Sequence, residues 1–398
     1  MLTGRTNAPQ ISRLGGEIAV LTVGLHELSP RLYEEWQKLY ATQSGVANPF
    51  ASPVWATEWL RHFVPRGDAR IFMVTERDAL IGVSPMYLGQ VKIGGLPLAR
   101  RLLPVGAGQT TPLEIPFMLA APGRDRTVQK AIVRHTVGLD VSWSEMVLTR
   151  EQCWFDPAIG DGDGPSATFH RHQGARACVV LELSPTWDET RSRLKRNVKE
   201  SLRRARNRLT KDGRPWRIEH RTGTDLTREV VDGWLDLHRA RAEQTDTWSK
   251  HGDAYADPHL RAFMRRLLPK LGAEHQASIV ELHFDGSVQA AQLVLHGPNT
   301  IYFHSSGFTP EVWQFSAVTA LQGAAIERAI EHGDRWVNFS PGPNEGKLRW
   351  SETLLGIDEF AYSGAQRGAA SRYATFLLAK DAREVRQIRQ HIGRLGND

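Results

Sequence analysis

A chain of 398 residues with 41% hydrophobic and 24% charged residues is long enough for two globular cores and excludes low-complexity and fibrous classes. Its two cysteines, Cys153 and Cys178, exclude a disulfide framework or a cysteine metal cluster. No apolar run reaches the roughly 18 residues of a membrane span and the N-terminus lacks a signal-peptide core, so a soluble, cytoplasmic protein with no membrane insertion is expected.

Taken from the N-terminus, the first clear pattern is "ASPVWATEWLRHFVPRGDARIFMVTERDALIGVSPMYL" at 51–88. Trp55, Trp59, Leu60 and Phe63 give one face of a helix, and an apolar strand, a turn at Arg77-Asp78 and a return strand follow. The order recurs in "ADPHLRAFMRRLLPKLGAEHQASIVELHFDGSVQAAQLVL" at 256–295, with Leu260, Phe263 and Leu267 on the helix and Asp285-Gly286 at the turn. Asp78 and Asp285 lie 207 positions apart, which predicts two related halves. Gly94-Gly95 and Gly106-x-Gly108 read as turns. The segment "DPAIGDGDG" at 156–164 reads as a loop between the halves, because the remaining ligands of a calcium loop are missing; His170 and His172 make no metal set.

The halves are joined through "RSRLKRNVKESLRRARNRL", residues 191–209, which holds nine basic residues and one acid, Glu200. With a net charge of +6, the rest of the chain sums to 6 − 8 = −2. Leu194, Val198, Leu202, Ala205 and Leu209 predict one buried helix face, with Ser184-Pro185 starting the helix and Gly213 ending it. Arg196, Lys199, Arg203 and Arg206 remain available to an anion. Solvated faces normally mix signs, because like charges one turn apart repel, so an unbroken positive face points to an anionic partner.

Beyond it the order is strand, strand, strand, helix, strand: "ASIVELHF", "VQAAQLVLHG", "TIYFHSSG", "VTALQGAAIERAIEHG" and "RWVNFSPG". This order resembles the core of the GNAT acyltransferase fold. The stretches "LKRNVKESLRRARNRLTKDG", "YFHSSGF", "IERAIEHG" and "NEGKLRW" resemble the CelD/BcsL-type acetyltransferases, which are similar to the Fem-type (FemABX) aminoacyl-tRNA-dependent transferases with two GNAT-like halves. The resemblance runs from about residue 20 to 360. It implies an α/β (α+β) tandem GNAT-like fold: an N-terminal unit at 1–180, a C-terminal unit at 181–365 opening with the basic helix, and a C-terminal helix at 366–398 packing on the first half. One departure stands out. The connection "GFTPEVWQFSAVTALQGAA" lacks the glycine pair with which GNAT enzymes wrap the coenzyme A pyrophosphate at a helix N-terminus.

Acyl transfer needs a deprotonated nucleophile, a donor for the tetrahedral oxyanion and positive charge for the acyl donor's phosphates. Lys347, in "PGPNEGKLRW", matches by motif position the lysine that Fem-type enzymes place near the reacting carbonyl; Glu345 could orient it or act as base. Tyr302, His304 and Ser306 alternate on one strand face, and His304 titrates near the working range of a base. Trp234, His238 and Arg241 share a helix face. With Tyr302, Ser306, Asn344 and Trp350, His238 and Arg241 are the expected substrate-binding residues; Arg196, Lys199, Arg203 and Arg206 are the expected donor-binding ones.

The resulting expectation is a GNAT-type N- or O-acyltransferase, monomer or homodimer, using acyl-CoA (acetyl-CoA) and no metal, with a small-molecule or carbohydrate acceptor. An aminoacyl-tRNA donor is the alternative, making tRNA a partner. A non-catalytic nucleic-acid-binding protein is the third reading, weakened because residues 191–209 contain no aromatic for base stacking.

Overall fold

The computed structural model describes residues 10–13, 17–65, 67–107, 113–149, 167–171, 176–244, 252–364 and 366–395. Cys153, His172, Gly108 and the segment 156–164 lie outside the described residues. The first half runs β1 (Gln10–Arg13), β2 (Ile18–Val23), α1 (Pro30–Ala41), α2 (Pro53–Phe63), β3 (Ala69–Glu76), β4 (Ala79–Ile93), β5 (Leu96–Pro104), β6 (Leu119–Ala120), α3 (Asp125–Thr136) and β7 (Trp143–Thr149). After β8 (Thr168–Arg171) and β9 (Arg176–Glu182) come α4 (Trp187–Arg193), α5 (Arg196–Asp212), β10 (Trp216–Thr222), α6 (Arg228–Ala242) and α7 (Pro258–Ala273). The chain continues through β11 (Ala277–Phe284), β12 (Ser287–Gly297), β13 (Thr300–Phe308), α8 (Ala317–Glu331), β14 (Trp336–Pro341), α9 (Glu345–Leu348), β15 (Leu354–Ser363) and α10 (Ala369–Leu395).

The two halves repeat one topology. β2–β3–β4–β5 pair antiparallel and β5 pairs parallel with β7 after the crossover helix α3. β10–β11–β12–β13 pair antiparallel and β13 pairs parallel with β14 after α8. Both hairpins turn on two positive-φ residues, Arg77-Asp78 and Asp285-Gly286, as a two-residue turn matched to strand twist requires. Both also carry a bulge at the same place, skipping Ile81 opposite Val74/Thr75 and Gln289 opposite Leu282/His283. The structure therefore aligns Arg77 with Asp285, an offset of 285 − 77 = 208, one more than the Asp-to-Asp match in the sequence. Gly94 and Gly95 form the positive-φ turn between β4 and β5.

The strands of the described residues join one mixed sheet, ordered β1-β2-β3-β4-β5-β7-β15-β9-β14-β13-β12-β11-β10, with β6 paired to β4 and β8 to β15 beside this path. Its centre is an exchange. β9 follows the first half but pairs with β14 of the second, and β15 follows the second half but pairs with β7 of the first. β9 and β15 then pair with each other and close the sheet. The equivalent helices α2 and α7 meet on one face, with Phe63 and Phe263 rings 4.8 Å apart. Their core draws Trp36, Phe50 and Trp59 from one half and Phe263, Leu268 and Tyr302 from the other. α10 lies against the first half, its Tyr373 and Phe376 packed on Trp143 at 5.4 and 5.3 Å.

The basic segment differs from its expected single helix. Leu194 is extended (φ −65, ψ 150) and separates α4 from α5. The break is held from both sides: Leu194 is buried, and Lys195 Nζ donates to Leu348 O and Glu352 at 3.1 and 2.6 Å. Thr186, rather than Ser184, caps α4 by accepting from Glu189 N. Gly213 ends α5 in the left-handed conformation, as expected. Leu194, Val198, Ala205 and Leu209 are buried, while Leu202 is only half-buried.

Candidate functional site

The second half opens where β13 and β14 part. Parallel pairing stops at Tyr302↔Asn338, yet β13 runs on to Phe308 and β14 to Pro341. The expected residues fall on the two lips of this opening, on α6 and on α5.

On the β13 lip the alternation read from the sequence breaks at a bulge. Register shifts between Gln292 and Val294, leaving Leu293 opposite both His304 and Ser305. Tyr255 Oη consequently meets both residues, His304 Nδ1 at 3.2 Å and Ser305 Oγ at 2.9 Å. Tyr302 Oη donates to the Leu113 carbonyl of the first half. α6 lies directly against this strand because Gly307 has no side chain; a Cβ there would sit closer than 3.0 Å to the backbone of Leu237 and His238. That approach brings Arg241 to Ser306, donating to its O and Oγ at 3.2 and 2.9 Å, and seats the guanidinium 5.3 Å from the Phe308 ring centroid. His238 Nδ1 is 3.1 Å from Asp253 Oδ1, which also accepts from Tyr255 N. Asp253 and Tyr255 carried no sequence signal; they become site residues only by folding over α6. Burial pushes His304 down to about 3, below the working range that the sequence reading gave it, so its ring stays neutral at physiological pH.

On the β14 lip, Ser340 takes a positive φ of 65° and Gly342 one of 82°, turning the chain into α9. Asn344 caps α9 by accepting from Lys347 N at 3.1 Å. Lys347 folds back so that Nζ donates to Ser340 O (3.2 Å), Ser340 Oγ (3.1 Å) and Pro341 O (2.7 Å), one acceptor for each ammonium proton. Burial lowers its pKa to about 8, with the nearby Cys178 opposing that shift. Asn338 accepts from Ser340 N at 2.9 Å and hydrogen-bonds Cys178, whose thiol burial pushes up to about 12. Glu345 is exposed and, among the described residues, makes no hydrogen bond to Lys347. Trp350 is buried, stacked 5.7 Å from Phe339, and its indole N–H has no hydrogen-bond partner among the described residues.

The basic helix is partly neutralised. Arg196 and Arg204 share Glu200 at 2.9 and 2.6 Å, and Lys199 donates to Ser192 O. Arg203 and Arg206 are exposed, with no side-chain hydrogen bond among the described residues. None of the four expected donor residues lines the cavity beside α8. That cavity, about 380 Å³, is lined by Arg208, Phe308, Val312, Trp313, Gln314 and Ser316–Thr319. Its floor is the start of α8, where Ser316 has a positive φ and no side-chain cap, and the first intrahelical bonds are donated by Thr319 and Ala320. Arg208 holds Gln314 O at 2.7 Å, and Arg349 donates to Thr319 Oγ1 at 2.6 Å.

Glu219, Glu281 and His283 bring ligand atoms within 4.8 Å of one another on β10 and β11. Arg221 already bonds both carboxylates at 2.7 and 2.8 Å, and Arg217 bonds Glu219 at 2.5 Å, so the negative charge a cation needs is spent. No helix among the described residues is long and apolar enough to cross a membrane.

Residues 196–348 match the family model described as "Acetyltransferase (GNAT) domain". No curated protein matches the chain. Among solved structures, the chain is similar to FemX (TM-score 0.57, 11% identity, 83% of this chain and 95% of that one). It is also similar to a conserved protein of unknown function from Bacteroides thetaiotaomicron (TM-score 0.52, 13% identity, 83% and 97%). A tandem GNAT protein from the clavulanic acid biosynthesis pathway aligns over 88% of this chain and 99% of its own at 14% identity, with a TM-score of 0.45. The duplicated topology and the FemX likeness agree on a tandem, Fem-type fold, and residues 196–348 of its second half are the part that matches the GNAT acetyltransferase domain model.

Proposed function

We propose that the chain is an acyltransferase whose donor, acyl-CoA (acetyl-CoA) or another phosphate-bearing carrier, lies in the cavity at the α8 N-terminus. The acyl end reaches the β13–β14 opening. The observation that carries this reading is the parting of β13 and β14 next to an uncapped helix start, inside the segment matching the GNAT domain. Free N–H groups and the helix dipole favour phosphate there even without the glycine pair. The acceptor, an amine or hydroxyl of a small molecule, sugar or polysaccharide, attacks the acyl carbonyl carbon. A bond from its N or O to that carbon forms, the C–S bond to coenzyme A breaks, and the acceptor's proton passes to the departing thiolate, which leaves as the free thiol. Lys347, positioned on Ser340 and Pro341, offers a point charge to the developing oxyanion. Ser306, His238, Arg241 and Asn344 belong to the acceptor side, with the buried Tyr302 and Trp350 as its supporting residues and neutral His304 and Glu345 as the remaining candidate catalytic groups.

In this reading residues 181–365 are the catalytic unit, 1–180 the supporting one and 366–398 the tie between them, in a soluble cytoplasmic enzyme of CelD/BcsL-like affinity. A second reading, an aminoacyl-tRNA donor, is favoured by the exposed Arg203 and Arg206, which lie outside the cavity on a helix that is basic along its length.

Binding across a salt series separates the two. Acetyl-CoA should bind with shallow salt dependence and weaken most in Arg208→Ala, with smaller losses in Arg203→Ala and Arg206→Ala. Charged tRNA, contacting many phosphates, should show a log–log slope falling by about 1 for each arginine removed. Steep dependence with tRNA binding alone supports the second reading. Indifference of both ligands to Arg203→Ala and Arg206→Ala makes the α5 face merely solvated.

A further inference from the structure

Trp313 is the largest apolar side chain left in solvent near the candidate site, 57% exposed at the edge of the α8 cavity. Its conformation is fixed from beneath. Phe308 stacks on one face, centroids 5.3 Å apart and planes 29° from parallel, and Arg241 lies over the same Phe308. Trp313 sits in a short 3-10 turn, Pro310–Phe315, that is pinned by Val312 and Phe315, both buried, and by Arg208 on Gln314 O. An indole that stands exposed at a cavity mouth, backed by a second ring, offers a flat face to a ligand. Arg208 on the same wall supplies positive charge, so the occupant it suits is a heteroaromatic ring carrying phosphate. The cavity, about 380 Å³, falls in the range of roughly 300–1,000 Å³ that holds small ligands.

We propose that Trp313, supported by Phe308, is the stacking platform for the purine base of a nucleotide-bearing donor, with Arg208 on that nucleotide's phosphate. The proposal rests on the donor reading above and specifies how the donor is recognised. The platform takes over part of the anchoring that a glycine loop gives elsewhere. Stacking reads only a π face, so the base could belong to coenzyme A or to the 3′-terminal adenosine of an RNA.

The test is calorimetric titration of the full chain with three probes: acetyl-CoA, acetyl-phosphopantetheine (which lacks the adenosine) and an RNA hairpin ending in CCA. Loss of one stacked base is expected to weaken binding about tenfold to a hundredfold. Trp313→Ala should therefore weaken whichever adenosine-bearing probe binds the wild type by that factor, and Trp313→Phe should recover most of it. The salt slope should stay unchanged in both variants, whereas Arg208→Ala should flatten it. Acetyl-phosphopantetheine should be indifferent to Trp313→Ala. Loss with acetyl-CoA alone assigns the base to coenzyme A, and loss with the hairpin alone assigns it to RNA. Wild-type binding that Trp313→Ala leaves unchanged, or that falls equally for acetyl-phosphopantetheine, overturns the platform while sparing the donor reading. Absence of binding by all three probes to the wild type overturns both. Because Trp313 is exposed, its variants should keep the wild-type circular dichroism and melting profile.

Discussion

Turnover should fall as pH rises through about 8, and Lys347→Ala should abolish that limb while lowering the rate about 10²–10³-fold. The limb follows from burial, which lowers the Lys347 pKa to about 8 and so brings its charge loss into the assay range. A point charge serving an oxyanion works only while protonated, hence the fall with rising pH. Because the interaction strengthens as charge develops, kcat should drop more than the acceptor KM rises. Stability gives a second readout of the same proton. Burial penalises the charged form in the folded chain, so the penalty is full below about 8 and is relieved as pH climbs towards the usual 10.5. Wild-type stability should gain over that window relative to Lys347→Met. A rate that rises through pH 8 makes Lys347 a base instead. Unchanged turnover in Lys347→Ala leaves it as the clamp of the Ser340–Gly342 turn, a role its three hydrogen bonds already fill.

Gly307→Ala should be the most damaging single-methyl change in the second half. The new Cβ meets the backbone of Leu237 and His238, which cannot rotate away, so α6 must move off β13. Overpacking typically costs about 1–3 kcal/mol, and a backbone obstacle puts this case at or above the upper end. Movement of α6 also carries His238 from Asp253 and Arg241 from Ser306, so activity should fall beyond the stability loss. Gly323→Ala is the control: its Cβ would meet the tip of Leu202, at 2.6 Å, on a half-buried side chain that can turn aside. Urea denaturation of both variants decides it. Equal midpoints would mean that α6 and β13 are not locked at Gly307.

What the sequence made legible was local. The helix–hairpin repeat showed because amphipathic spacing and a two-residue turn are written within forty residues, and even its offset was read to within one position. The exchange of β9 and β15 could not be read, since both strands pair across the chain with partners more than a hundred residues away in sequence. The bulge opposite Leu293 was equally hidden, because "IYFHSSG" alternates cleanly on paper and only pairing with β12 breaks it. The break at Leu194 was hidden for a similar reason: a leucine on the buried face of a basic run looks like helix until Lys195 is seen to hold Glu352. Arg208 and Trp313 are different, because nothing physical hides them: "GFTPEVWQFSAV" has no glycine pair, but it sets a tryptophan between Glu311 and Ser316, just before an apolar helix.

Whether the donor sits at the α8 N-terminus is tested most directly by amide hydrogen exchange of the full chain with and without acetyl-CoA. The N–H groups of Ala317 and Val318 precede the first intrahelical bonds of α8 and should exchange quickly in the free protein. Saturating ligand should slow exchange across 316–319 and in the Trp313 loop, by at least tenfold, and Arg208→Ala should raise the concentration needed. Protection confined to the first half, around Gly94-Gly95 or Gly106, with 316–319 unchanged, would contradict the placement of the donor.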